Sequence, residues 1–187
     1  MSSALLVLLV AVNPVAIAAE LGGRPDRRVL TVGLAATAVL SVVLAGASEV
    51  ILDVLSVTAP TFRVAAGAVL LLAAARWVAL GPRRLPPEDA LLSHTDRSDP
   101  SPWSSLVVPL LVPVLVSPQL VMAVISVGAD DGVLAVAVGA GAAMALSGVA
   151  CLLHRGSAGI WSTAVRFTGL PAATVAVGLI VDGVKTV

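Results

Sequence analysis

The sequence predicts an all-α membrane protein whose six transmembrane helices form two inverted three-helix repeats. Of its 187 residues, 58% are apolar and only 12% carry a charge, whereas about a quarter of the residues in a soluble domain are charged. A proline also recurs at matching places: Pro14 precedes Arg63 by 49 residues, and Pro118 precedes Arg166 by 48. This spacing indicates a three-span unit that occurs twice.

Six apolar stretches are long enough to cross a membrane. Each has about 18 to 22 residues, which corresponds to about 27 to 33 Å of helix and matches a hydrocarbon core of roughly 30 Å. They cover residues 4–21, 29–50, 61–79, 106–127, 132–153 and approximately 163–181. We predict a first three-span repeat at 1–79, a cytoplasmic linker at 80–104 and a second repeat at 105–187, all in one membrane domain.

Arginine residues predict the orientation of the bundle. They concentrate in the first, third and fifth loops, whereas the opposite side has only Arg63 and Lys185 near its loops and tail. By the positive-inside rule, these three loops are cytoplasmic and both termini lie outside. Because each repeat has three spans, the second repeat enters the membrane from the other side. Asp130-Asp131-Gly132 then forms a tight outer turn before the fifth span.

Two proline dipeptides lie within predicted spans, Asn13-Pro14 in the first and Ser117-Pro118 in the fourth. Proline removes a backbone donor and clashes with the preceding turn, so we expect spans 1 and 4 to be kinked or broken at Pro14 and Pro118. Equivalent breaks in two halves point to a transporter binding site, where free amides suit a carboxylate and free carbonyls suit an ammonium group. With Gln119, these residues form the predicted substrate-binding site. The alternative is a pair of proline kinks that serve only helix packing.

Ionisable residues within spans predict ion pairs for coupling or gating. Glu49 and Asp53 lie one helical turn apart at the outer end of the second span, and Arg63 follows ten residues after Asp53. We expect these three to pair. Arg166 takes the equivalent place in the sixth span without a nearby acid in the sequence, and Asp182 lies near the outer end of that span. The alternative role for all five is a structural salt bridge or a side chain that extends to the interface.

The sequence offers no catalytic or metal-binding constellation. Cys151 is the only cysteine, which excludes a disulfide and a cysteine-pair electron carrier. His94 and His154 lie in the linker and at a helix end, a spacing that disfavours a metal site. No nucleophile, base and orienting acid share one membrane depth, and no basic stripe with aromatic residues is present for nucleic acid. We therefore expect no enzyme activity, no cofactor, no metal and no nucleic-acid partner.

Strings along nearly the whole chain match the pattern of a known family. They are Val12-Asn13-Pro14, residues 59–67 (APTFRVAAG), Pro109 and Pro113 ahead of Ser117-Pro118, residues 166–169 (RFTG) and residues 179–183 (LIVDG). On these residues the chain resembles the MarC family of six-span bacterial inner-membrane proteins, part of the lysine-exporter-like superfamily. The family usually has a glycine and a proline where this chain has Ala16 and Ala19, and glycines where it has Ser117 and Gln119.

The resemblance implies a multi-pass protein of the bacterial plasma (inner) membrane that transports small neutral amino acids such as alanine, glycine and threonine. Together with the two broken helices, it predicts a secondary transporter, an exporter or an importer, that works by alternating access. The alternatives are a passive small-solute channel and a non-transporting scaffold or lipid-handling subunit. The expected partners are a small-molecule substrate and the lipid bilayer, and homo-oligomer formation is left open.

Overall fold

The computed structural model describes residues 2–21, 27–82, 116–154 and 158–187. Within these ranges the chain is helical and no strand occurs. The helices are α1 Ser2–Val12, α2 Pro14–Leu21, α3 Arg27–Gly46, α4 Ser48–Leu55, α5 Ala59–Leu80, α6 Pro118–Leu153 and α7 Ala158–Thr186. The predicted linker at 80–104 lies mostly outside the described residues.

Five helical stretches are long and apolar enough to cross a membrane. They are Ser3–Leu21, Arg27–Gly46, Ala59–Leu80, Pro118–Leu153 and Gly159–Thr186. These helices agree with the predicted multi-pass membrane protein. The count of six spans stays a prediction, because residues 106–115 of the fourth predicted span lie outside the described residues.

The longest helix, α6, is interrupted. Its 36 residues would extend about 54 Å if the helix were continuous, well beyond a hydrocarbon core of roughly 30 Å. Two helical segments meet at Gly132, whose φ of 83° and ψ of 172° are not helical. This φ is open to glycine and unfavourable for other residues. The break lies where the sequence places the turn between the fourth and fifth predicted spans.

The second predicted span, 29–50, is wrong at its outer end. Helix α3 ends at Gly46, and α4 begins two residues later at Ser48. The Ser48 hydroxyl donates to the carbonyl of Ala45 at 2.8 Å, and such local side-chain bonds compete with regular helix bonding. Helix α4 ends at Leu55, and the following residue, Ser56, adopts a left-handed conformation with φ 54°. Glu49 and Asp53 therefore belong to a separate short helix.

The core forms around α1 and α6. Leu8 and Ala11 of α1 are fully buried and share one apolar cluster with Val124 and Val136 of α6. Helices α2 and α3 also pack against α6, and α5 packs along α7. On the outside, large apolar side chains such as Leu72 are exposed, as expected for a surface that faces lipid.

Candidate functional site

The helix at the amino terminus is broken at Asn13, directly before Pro14. Asn13 has φ 46° and is 4% exposed. Asparagine adopts this left-handed conformation more readily than most residues, because its short polar side chain can bond locally. The Asn13 amide donates to the Leu9 carbonyl at 3.0 Å, and the Asn13 carbonyl accepts from the Ile17 amide at 3.1 Å. The first bond is the last helical bond of α1, and the second is the first helical bond of α2.

The break leaves carbonyl groups without helical partners. Asn13 belongs neither to a helix nor to a hydrogen-bonded turn, so no helical bond spans it. The carbonyls of Val10, Ala11 and Val12 therefore receive no donor from the following turn, and Pro14 has no N–H to give. Among the described residues no backbone amide outside the helices donates to them. These oxygens form the carboxyl end of α1, where an ammonium group or cation is favoured.

The Asn13 carboxamide bonds in two directions. Its Oδ1 accepts a hydrogen bond from the Ala16 amide at 3.2 Å, which caps the first turn of α2. Its Nδ2 donates to Oγ1 of Thr168 on α7 at 3.2 Å. The Thr168 hydroxyl in turn donates to the Val165 carbonyl at 2.8 Å. One buried side chain therefore joins the break to a helix that lies 155 residues away in the sequence.

The second predicted break coincides with the first residue of α6. Ser117 is extended, with φ −90° and ψ 151°, and α6 begins at Pro118. The Ser117 carbonyl accepts from the amides of Leu120 and Val121 at 3.0 and 3.1 Å. Ser117 is buried, Gln119 is half-buried and Pro118 is exposed. The part of the predicted span before Val116 lies outside the described residues.

The starts of α2 and α6 share one core. Val12 and Ile17, on either side of the first break, belong to the same buried cluster as Leu120 and Val124 of α6. This cluster extends through most of the bundle, and α2 packs against α6. Ser117 makes no side-chain cap bond to α6, in contrast to the bonded carboxamide of Asn13.

The predicted partner of Arg63 is wrong. Its Nη2 lies 2.6 Å from Oδ1 of Asp130, and its Nε donates to Oδ2 of the same carboxylate at 2.9 Å. Phe62 packs against Leu52 of α4 and Ile125 of α6, and the next helical position is rotated by about 100°. Arg63 is therefore directed away from α4, and its partner comes from the turn in α6.

The remaining predicted charges are spread over both ends of the bundle. Asp182 and Asp131 add weaker Coulomb attraction to Arg63. Arg166 is exposed at the other end of α7, near Gly81, and none of the described residues forms a salt bridge with it. Asp130 was not predicted as the partner of Arg63. The signal was available, because the predicted orientation places Asp130 and Arg63 on the same outer side.

Glu49 and Asp53 line an open cleft instead of pairing with Arg63. The cleft has a volume of about 510 Å³. Its lining residues are Glu49, Leu52, Asp53, Ser56, Val57, Thr58, Ala59 and Ala129. Within the described parts of the chain, no three side chains cluster in a way that could hold a metal ion. The two carboxylates can attract cations to this end of the bundle, and Asn13 is not among the residues that line the cleft.

The comparisons with known proteins identify the family. A family model described as MarC family integral membrane protein matches residues 3–187, nearly the whole chain. The chain belongs to the MarC family. Comparison with curated proteins and with solved structures gave no match. The resemblance drawn from the sequence strings is therefore confirmed for the MarC family, and this MarC protein is an integral membrane protein.

Proposed function

We propose that this MarC protein is a secondary transporter of small neutral amino acids or similar small zwitterions across the bacterial inner membrane. The observation that carries the proposal is the buried break at Asn13. An unpaired backbone group in hydrocarbon is unfavourable by several kcal/mol, so broken helices persist in membranes where they meet protein or a polar cavity. The break provides acceptors for an ammonium group, and the amino end of α2 favours a carboxylate.

Contacts between α5 and α7 support two inverted halves. A Cβ atom added at Gly67 would lie 2.8 Å from the Ala176 carbonyl oxygen, and one added at Gly169 would lie 3.0 Å from that of Ala74. The same 102 residues separate Gly67 from Gly169 and Ala74 from Ala176. The two close approaches are thus related by exchanging the halves, as in a two-fold symmetric interface.

A second pair of contacts follows the same rule. A Cβ atom at Gly183 would lie 2.8 Å from the Pro60 carbonyl oxygen, and one at Gly81 would lie 4.0 Å from that of Ser162. Again 102 residues separate Gly81 from Gly183, and 102 residues separate Pro60 from Ser162. The start of α5 therefore meets the end of α7, and the end of α5 meets the start of α7. The two helices are antiparallel, and the two-fold axis is perpendicular to them. In a membrane that axis lies in the bilayer plane, which is the arrangement of an inverted repeat.

Alternating access then follows from the symmetry. The two halves exchange conformations, and a site between the starts of α2 and α6 opens to one side and then to the other. In this proposal both termini lie outside, and the protein is not an enzyme. Ion pairs such as Arg63 with Asp130 join the first half to the second at the outer end, so they would open and close with the halves.

Counterflow in proteoliposomes tests the proposal. Vesicles are loaded with unlabelled alanine and then supplied with a trace of labelled alanine outside. The unaltered protein is expected to accumulate label transiently and saturably. Asn13→Gly is expected to abolish accumulation, because it keeps the left-handed backbone but removes the carboxamide. Ser147→Ala is the control, since this buried hydroxyl bonds only to the Ala143 carbonyl of its own helix.

The outcomes separate the alternative functions. Label that equilibrates without saturation or counterflow would indicate a passive channel. If the unaltered protein moves no neutral amino acid faster than empty vesicles do, the transport proposal fails, and co-purified lipid or protein would favour a scaffold or lipid-handling subunit. If Ser147→Ala is as inactive as Asn13→Gly, the loss reflects general packing, and the site at Asn13 is not supported.

A further inference from the structure

We infer that Thr168 is a positioning residue of the proposed site, and that its hydrogen bond to Asn13 holds the transporter in the described conformation. The inference rests on the proposed function, because it uses the exchange of two inverted halves. Thr168 lies on α7 in the second half and Asn13 lies between α1 and α2 in the first. Their 3.2 Å bond is therefore a polar link between the halves at the break itself.

The geometry fixes the direction of this link. Thr168 Oγ1 gives its single proton to the Val165 carbonyl at 2.8 Å, so toward Asn13 it acts as an acceptor. The carboxamide of Asn13 must then present Nδ2 to Thr168 and Oδ1 to the Ala16 amide. Thr168 thus selects one orientation of the carboxamide. That orientation leaves one Nδ2 proton and one Oδ1 lone pair for a substrate.

Among the described residues of the second half, no equivalent of this bond occurs. Pro14 corresponds to Pro118, so Ser117 takes the place of Asn13. The separation of 102 residues seen between α5 and α7 places Ala66 at the position of Thr168, and the neighbouring positions are Ala65 and Gly67. None of these three has a side-chain acceptor. When the halves exchange conformations, the serine meets an apolar helix face.

The two states of the transporter are therefore unequal in energy. One partly buried hydrogen bond is present in the described state and absent in the other, and such a bond shifts an equilibrium by about threefold to tenfold. When a ligand binds only one state, its apparent affinity falls in proportion to the fraction of protein molecules in that state. Removing the Thr168 hydroxyl should thus weaken apparent affinity on the side open in the described state and strengthen it on the other side.

Transport kinetics from the two membrane sides test this inference. Half-saturation constants for alanine are measured in vesicles of each orientation. Thr168→Val is expected to change the ratio of the two constants by about threefold to tenfold, with the constants moving in opposite directions. Thr168→Ser retains the acceptor and is expected to keep the ratio of the unaltered protein. Thr37→Val is the matched control, because this buried hydroxyl bonds only to the Gly33 carbonyl of its own helix at 2.9 Å.

A distance measurement keeps the test independent of transport. Spin labels are placed at Val54 and Leu134, exposed residues of the first and second halves, in a Cys151→Ala background. Thr168→Val is expected to add a second inter-label distance that Thr168→Ser and Thr37→Val do not show. A distribution unchanged by Thr168→Val, or changed equally by Thr37→Val, would overturn the inference. If the unaltered protein transports nothing while Thr168→Val still shifts the distances, the proposed function fails and the two-state link stands.

Discussion

The ion pair between Arg63 and Asp130 gives a quantitative prediction for stability. Both arginine-carboxylate contacts are within 3 Å, at 2.6 and 2.9 Å, and the side chains are 21% and 22% exposed. Exposed pairs contribute about 0.2 to 1 kcal/mol, whereas breaking a buried pair costs about 3 to 5 kcal/mol. A bidentate pair with this partial exposure lies between the two limits. We expect Asp130→Asn to lower the free energy of unfolding by about 1 to 2 kcal/mol.

Thermal unfolding in detergent measures this loss. For a chain of this size, 1 kcal/mol corresponds to about 2 to 4 °C in Tm, so Asp130→Asn should lower Tm by roughly 2 to 8 °C. Asp131→Asn is the matched control, since this neighbouring carboxylate makes no salt bridge with Arg63 and adds only weaker Coulomb attraction. The double variant Arg63→Gln with Asp130→Asn should lose less than the sum of the single losses. Additive losses, or an equal loss for Asp131→Asn, would refute the reasoning.

Three other variants test the helix end and the helix interface. Ser56 adopts a left-handed conformation at the end of α4, so Ser56→Gly should raise the free energy of unfolding by about 0.5 to 1 kcal/mol, and an unchanged or lower Tm would contradict this. Gly67→Val and Gly169→Val should each lower the free energy of unfolding by about 1 to 3 kcal/mol. A Cβ atom added at either glycine would lie 3.0 Å or less from a backbone carbonyl oxygen of the opposite helix. Gly141→Val is the control, since nothing lies within 4 Å of its added Cβ. Equal loss in all three valine variants would contradict a specific close approach between α5 and α7.

The break in the first helix could be predicted from the sequence because its causes are local. Pro14 cannot donate to the carbonyl four residues earlier, and asparagine is one of the few residues that enter the left-handed region readily. Both facts depend only on residue type and order. The structure adds the burial of Asn13 and the direction of its carboxamide, which depend on α7.

The partner of Arg63 could not be derived from spacing along the chain. Which side of α5 faces which neighbour depends on the packing of Phe62, and that packing involves α4 and α6 together. The predicted partners were the acids nearest in the sequence, whereas the actual partner is 67 residues away. Because each residue of a helix is rotated by about 100° from the one before it, a shift of one position changes which neighbouring helix a side chain faces.

Thr168 was missed for a different reason. It lies in an apolar stretch where a threonine ordinarily bonds back to its own helix, and it does so with its proton. Its second role, as acceptor for a side chain 155 residues away, has no pattern in the sequence. The end of α3 at Gly46 was also not predicted, because no proline lies between Gly46 and Val50 to mark it.

The most direct test of the central claim is an NMR measurement on the Asn13 carboxamide. Asn13 is the only asparagine in the chain, so protein labelled with ¹⁵N-asparagine gives one side-chain amide pair that needs no further assignment. If the break at Asn13 binds small zwitterions, adding alanine will shift these signals saturably, and adding glutamate or arginine will not. Signals that stay unchanged at alanine concentrations that support counterflow would contradict the account.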